Sequence, residues 1–399
     1  MRPAERAVRA VNGLTARWAA AADGDDDTVF SAAGLWPLLA LLGDAADERT
    51  RPALEDAVGM AVRDAAPAAR ELTAALADVR GMRSATGLWA AEGLPLRPAW
   101  VAGLPSDVLG RLTGDPVADG AALDAWASAR TGGMIGAMPP VRTERTELVL
   151  AAAQALRTRW LQGFRESRLR PSDGPWAGRT LAGLVRTTSL LAGLGVAATD
   201  AGPVSVLRVL GDTGVDVHLL LGDAGMAPGA VLEGGVGVLS GRCAAVPADR
   251  LPIGDAGPGV VVATAPSTGP NPQLHALVSP FRLRSDHDLL KRDAPAGLSA
   301  ALGGGRFPGI GPRPPVLGAA AQSAMAVFDA EGFETASVSA VGTRTGRGPR
   351  AARHVVRRVE AVYDRPFGFL TVHRASSLVL SAGWVARPTP YAPSSGPGA

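Results

Sequence analysis

The sequence predicts an α+β fold, on three observations. Helix-type periodicity dominates the chain before residue 131, and short β-branched runs with alternation fill it after residue 203. No internal repeat and no interdomain linker separates the two parts, so helices and strands are expected to share one body, residues 1–390, followed by a disordered tail over 391–399. At 399 residues and 47% hydrophobic, the chain is long enough to bury one large core.

Taken in order, Val8, Val11, Leu14 and Trp18 share a face and predict a helix over 5–21, followed by a solvated turn at Asp25–Asp27. Ser31 can cap a second helix whose apolar stripe is Leu35, Leu38, Leu39 and Leu42. Two further helices are expected over 51–63 and 66–78, a strand over 84–90, and a helix around 120–130 that ends at Thr131, Gly132 and Gly133. Residues 147–157, ELVLAAAQALR, fit helix or buried strand equally by pattern. Then VSVLRVL, VDVHLLL, GVVVATA, MAVFDA, VVRRVEAVY, FGFLTVHR and LVLSAGWV read as strands, and the Gly-rich EGGVGVLSG at 233–241 as a hairpin region.

Net charge is only +3 although the pI is about 9.7, which gives no general case for nucleic-acid binding. The basic residues are almost all arginine, with Lys291 the only lysine. Cys243 is the only cysteine, which excludes an intrachain disulfide and a cysteine metal cluster. The longest early apolar stretch, LWPLLALLG at 35–43, is too short to cross a bilayer, so no membrane partner is expected. The first residues lack a long apolar run before a cleavage site, and the reading is cytoplasmic.

Enzyme signals are absent from the sequence pattern. The histidines 218, 275, 287, 354 and 373 form no HExxH or other close ligand pair, and there is no G-x-S-x-G, P-loop or Rossmann fingerprint. No cofactor or metal is expected. His287, between Asp286 and Asp288, reads as part of a polar turn, and Cys243 as structural. Trp36, Trp126, Trp160 and Trp384 read mostly as core, with an aromatic ligand pocket as their competing use.

Four stretches and the C-terminal end resemble the serpin family, in the family's order, and the chain looks like a divergent, bacterial-type member. VFSAAGLWPLLALLGDAA at 29–46 is similar to the family's strand 6 of sheet B and helix B. LDAWASARTGGMI at 123–135 is similar to its helix F, and TELVLAAAQALRTRWLQGF at 146–164 to strand 3 of sheet A. AEGFETASVSA at 330–340 is similar to the hinge of the reactive-centre loop, and YDRPFGFLTVHRASSLVLSAGWVARP at 363–388 to the C-terminal strands.

The resemblance implies three sheets with about nine helices, a reactive-centre loop near the C-terminal end and a monomer, and it leaves an extracellular location open beside the cytoplasmic reading. It also implies inhibition of a serine endopeptidase: the protease cleaves a bait bond and becomes attached as an acyl ester, and the loop inserts into sheet A as a new strand. The hinge then comprises Glu331, Gly332, Phe333, Glu334, Thr335, Ala336, Ser337, Val338, Ser339 and Ala340. Strand side chains alternate, so 333, 335, 337, 339 and 341 would share one face, which the resemblance implies is the inward one and needs little bulk. Gly332 is read as a permissive backbone at the turning point. Counting along the family pattern reaches Gly346 from one side and Val355 from the other, so the loop is several residues longer than usual. Candidate bait residues are Arg344, Gly346, Arg347, Arg350 and Arg353, and the arginines suit a trypsin-like protease with an acidic specificity pocket.

The same arginines, with Arg357 and Arg358, would also suit a polyanion-binding patch. A non-inhibitory binding protein and a small-molecule enzyme on this scaffold are two further readings, and departures from the family favour them. Phe333 stands where a small residue is usual. The polar shutter below the opening of sheet A, beside Ser31, has its serine matched by Gly34, its asparagine by Ala152 and its histidine by Gln322. Trp160 matches the family's breach tryptophan. The joint change at 34, 152, 322 and 333 predicts a serpin body with an impaired or lost inhibitory transition.

Overall fold

The computed structural model describes residues 3–22, 26–141, 146–291, 298–303, 305–333 and 352–392. The chain opens with α1 (Pro3–Ala19), which buries Val11, Leu14 and Trp18. After β1 (Thr28–Phe30), Ser31 caps α2 (Ala32–Ala45) by accepting from Gly34 N, and nearly all of that helix is buried. Two shorter helices follow, α3 (Arg51–Val58) and α4 (Val62–Ala77). Gly59 at φ 73° ends the first of them and separates the two earlier than the sequence suggested. Next come β2 (Met82–Ala91), α5 (Pro98–Gly103) and β3 (Leu109–Leu112). Asp115 caps α6 (Pro116–Thr131) by accepting from Val117 N and Ala118 N, which starts this helix before residue 120.

The ambiguous segment is a strand, β4 (Leu148–Leu156), buried along its whole length. Behind it run β5 (Thr158–Arg159), β6 (Arg165–Leu169), β7 (Leu181–Thr188), β8 (Leu194–Thr199), β9 (Gly202–Val209) and β10 (Val215–Gly222). The expected Gly-rich hairpin is instead α7 (Pro228–Leu239). Its glycines serve contact rather than turning: a Cβ at Gly235 would lie 2.3 Å from Leu220 Cδ1, so the helix can sit directly on β10. The remaining elements are β11 (Ala245–Pro247), β12 (Gly254–Gly257), β13 (Val260–Ser267), β14 (Gln273–Val278), β15 (Phe281–Asp288), α8 (Leu298–Leu302), β16 (Leu317–Phe328), β17 (Gly332–Phe333), β18 (His354–Val362), β19 (Phe367–His373) and β20 (Leu378–Val385).

The strands form three sheets. Sheet A has the order β3-β2-β4-β16-β17-β5, with β15 on the other edge of β16. Sheet B runs β1-β20-β19-β10-β9-β8-β11 and sheet C β12-β13-β18-β14-β7-β6. One face of β4 (Leu148, Leu150, Ala152, Leu156) joins the main core with α2. The other (Val149, Ala151, Ala153) lies under α6 with Leu123, Ala127 and Ile135. Two covered faces explain why β4 reads as a continuous apolar run. The α+β class and the three sheets are as the sequence predicts, with eight α-helices and a short 3-10 helix among the described residues.

His287 is not in a turn. It lies in β15 paired with Gln322, its ring nitrogen Nε2 is 2.8 Å from Val29 O, and the edge of its ring meets Trp18. Pairing of the whole segment with β16 overrides the local turn signal of Asp-His-Asp. Tyr391, inside the expected tail, donates its N–H to Thr180 O and carries Arg168 over its ring.

Candidate functional site

Sheet A is joined through its middle and parted at one end. From Leu317 to Ala324, β16 pairs in parallel with β4 from Leu148 to Gln154. Beyond that stretch β17 lies between the two neighbours, antiparallel to β16 at Phe328–Phe333 and to β5 at Gly332–Arg159 and Phe333–Thr158. Gly332 and Phe333, which the sequence reading expected in the hinge, therefore lie at the head of the sheet.

A tight turn delivers them. Asp329 N donates to Gly332 O at 3.0 Å, and the Asp329 carboxylate accepts from Glu331 N and Gly332 N. The sequence assigned Gly332 to backbone freedom, but its φ is not left-handed. It is needed for space, because a Cβ there would lie 2.4 Å from Thr158 O. Trp160 holds the turn from outside. Its indole N–H donates to Asp329 O at 2.9 Å, its backbone N–H donates to Glu331 O, and its ring lies 4.9 Å from that of Phe328. Phe164 N donates to Ala330 O. Behind β5, Asp212 bonds Arg159 through backbone and carboxylate, and Arg374 joins Asp216 to Gly211 O.

Phe333 is 1% exposed and belongs to the main core, with its ring 6.2 Å from that of Phe369. The core thus has room for an aromatic at this position.

The shutter region is rebuilt rather than emptied. Ser31 Oγ donates to Gln154 Oε1 and lies 2.7 Å from Leu380 O, while Gln154 Nε2 donates to Leu380 O at 2.9 Å. On the other strand, Gln322 brackets the Ser31 backbone: Ser31 N donates to Oε1 at 2.8 Å, and Nε2 donates to Ser31 O at 2.7 Å. Ser31 thus bridges β4 and β16. Ala152 contributes only packing, opposite Gln322. Gly34 makes the room, since a Cβ there would meet Gln154 Oε1 at 3.0 Å. Sequence reasoning missed Gln154, which carries the polar function two residues beyond Ala152 on the same strand face. The signal was available: one glutamine inside a nine-residue buried apolar strand needs buried partners.

Of the candidate bait residues, Arg353 is described. Its N–H donates to Ser267 O, just before β18. β18 is then paired along its length with β13 and also with β14, which fixes the chain where it enters sheet C. Glu334, Thr335, Ala336, Ser337, Val338, Ser339, Ala340, Arg344, Gly346, Arg347 and Arg350 lie outside the described residues. Two arginines of the proposed polyanion patch are engaged: Arg357 donates to Ala248 O and Leu251 O, and Arg358 pairs with Glu360 at 3.3 Å. Among the described residues no three His, Cys, Asp or Glu side chains converge to hold a metal.

A buried histidine, His218, and a half-buried one, His287, flank this frame. Burial lowers His218 to about 4, partly opposed by the Asp216 carboxylate, and burial also lowers His287 beside Gln322. Burial pushes the Tyr363 phenol far up, and its hydroxyl donates to Leu219 O.

No protein-family model matches the chain, and no curated protein matches it by sequence. Solved structures do match. Native protease nexin-1 crystallised with heparin is 15% identical, covers 97% of this chain and all of its own, and has a TM-score of 0.68. The thermophilic serpin tengpin in its native state is 11% identical over 95% of this chain and 94% of its own, with a TM-score of 0.70. Human glycosylated kallistatin is 15% identical over 98% of this chain and 100% of its own, with a TM-score of 0.69. These similarities correct the cytoplasmic reading. One relative is glycosylated and another is bound to heparin, and both features belong to the secretory route and the cell exterior. The opening residues therefore do not assign the chain to the cytoplasm. With its three sheets, its parted sheet A and near-complete overlap with these structures, the chain has the fold of the serpin superfamily.

Proposed function

We propose that this chain is a bait-loop inhibitor of a serine endopeptidase, with a trypsin-like enzyme as target and the bait among Arg344, Arg347, Arg350 and Arg353. The observation that supports this reading is the arrangement of sheet A: β17 is seated between β5 and β16, while below it β4 and β16 still pair directly. A strand continuing from Phe333 would run antiparallel to both neighbours and exchange one ladder for two. Thr335, Ser337 and Ser339 would then face inward, and their small size avoids overpacking costs of about 1–3 kcal/mol per site. The protease serine attacks the bait carbonyl, the amine leaves, and the acyl ester is carried away as the loop enters the sheet.

Parting β4 from β16 must release Ser31 from either Gln154 or Gln322. This double attachment favours a second reading, a non-inhibitory binding protein on the same fold. The test is incubation with trypsin, followed by denaturing electrophoresis and a thermal melt of the cleaved protein. Inhibition predicts an SDS-stable complex, cleavage between 344 and 353, and a large rise in Tm. Cleavage there with neither complex nor rise in Tm rejects inhibition and leaves the binding reading.

A further inference from the structure

Arg186 in β7 is only 8% exposed. Cations buried this far are ordinarily held by a carboxylate. Among the described residues Arg186 has none. Its Nη1 donates to Gln162 O at 3.1 Å, its guanidinium lies 4.6 Å from the Phe164 ring centroid, and its Nε is buried without an acceptor. Burial lowers its pKa to about 10, with no neighbouring acid acting against that shift, so it keeps its charge at neutral pH.

The same side chain lines a cavity of about 280 Å³. Leu210, Leu274 and Ala192 form apolar wall, and Leu161 and Leu190 stand at it, each 61% exposed. Arg208, the other charged residue of the lining, is exposed to water. A concave apolar surface with one buried, unpaired cation is the arrangement that selects an anionic head on an apolar body.

We propose that this cavity binds a small organic monocarboxylate, its head on Arg186 and its aliphatic body against Leu190, Leu210 and Leu274. A planar carboxylate matches the guanidinium fork and balances its single charge. A dianion would bring a second charge against a mainly apolar wall. No residue of the lining belongs to the bait segment, so the proposal stands apart from inhibition.

The test is calorimetric titration of the full chain at pH 7.5 with octanoate, and with 1-octanol as its uncharged counterpart. Saturable 1:1 octanoate binding is expected, with octanol at least tenfold weaker. Arg186→Met should weaken octanoate about 10- to 100-fold, the usual effect of losing a charge-assisted bond, and leave octanol unchanged. Ala192→Trp, which fills the cavity and spares Arg186, should abolish binding of both. Absence of saturable octanoate binding, equal affinity for the two probes, or an unaltered octanoate affinity in Arg186→Met overturns the proposal. If Arg186→Met does not fold, the octanoate-to-octanol ratio of the natural protein and the Ala192→Trp result decide it.

Discussion

The head and the middle of the interface between β4 and β16 are closed by different chemistry. At the head, the gap is filled by β17 and sealed by aromatic packing, with Phe333, Phe328 and Trp160 around a turn held by backbone bonds, the Asp329 carboxylate and the Trp160 indole. In the middle, the strands meet directly and are linked by three polar side chains, Ser31, Gln154 and Gln322. Apolar contact is non-directional and tolerates a strand sliding in beside it. Buried hydrogen bonds do not, because each group left unpaired costs about 1–3 kcal/mol. The head is therefore held by the packing of Phe333, and parting β4 from β16 below it would have to break the bonds of Ser31.

The largest expected effect comes from emptying the head. Phe333→Ala should lower unfolding free energy by about 3–5 kcal/mol, read from urea unfolding, if the aromatic is core as its burial shows. A loss below about 1 kcal/mol would mean that the head holds without it, and the contrast would fail.

Acid should act through two histidines that flank the frame. His218 and His287 bind protons less readily folded than unfolded, so their contribution is complete above the unfolded value of 6.5 and is lost as pH falls toward the folded values. For His218 alone, a fall from 6.5 to about 4 amounts to about 3 kcal/mol. Unfolding measured from pH 7 to 4 should show this decline, and His218→Gln should flatten it. An unchanged slope in that variant would remove His218 as its cause.

Ser31→Ala removes the helix cap and the hydroxyl bond to Gln154 but keeps the backbone bonds to Gln322. It should cost about 1–3 kcal/mol in urea and speed any insertion after trypsin cleavage. Slower insertion would place the resistance elsewhere. The smallest effect is expected for Trp160→Phe, which keeps the ring packing and loses the bond to Asp329 O. A loss of about 1 kcal/mol by urea unfolding would match one hydrogen bond, whereas a loss as large as that of Phe333→Ala would show that the turn, not the plug, closes the head.

Local pattern determined much of this protein. Alternation located the strands of the C-terminal half, and Ser31 was legible as a helix cap. Each of these depends on residues within a few positions of one another. Partners far apart in the chain were decided only by the fold. Ser31 and Gln322 are 291 positions apart, so nothing local says that a glutamine will bracket that serine backbone. Gln154 took over from Ala152 because Gly34, on another element, left it space. The glycines of 233–241 became helix because β10 needed a bare face beside it, and Asp286–Asp288 became strand because β16 offered it a partner. Sequence sets what each segment prefers, and tertiary packing sets which preferences are overruled, because burial and long-range pairing outweigh a propensity of about 1 kcal/mol per residue.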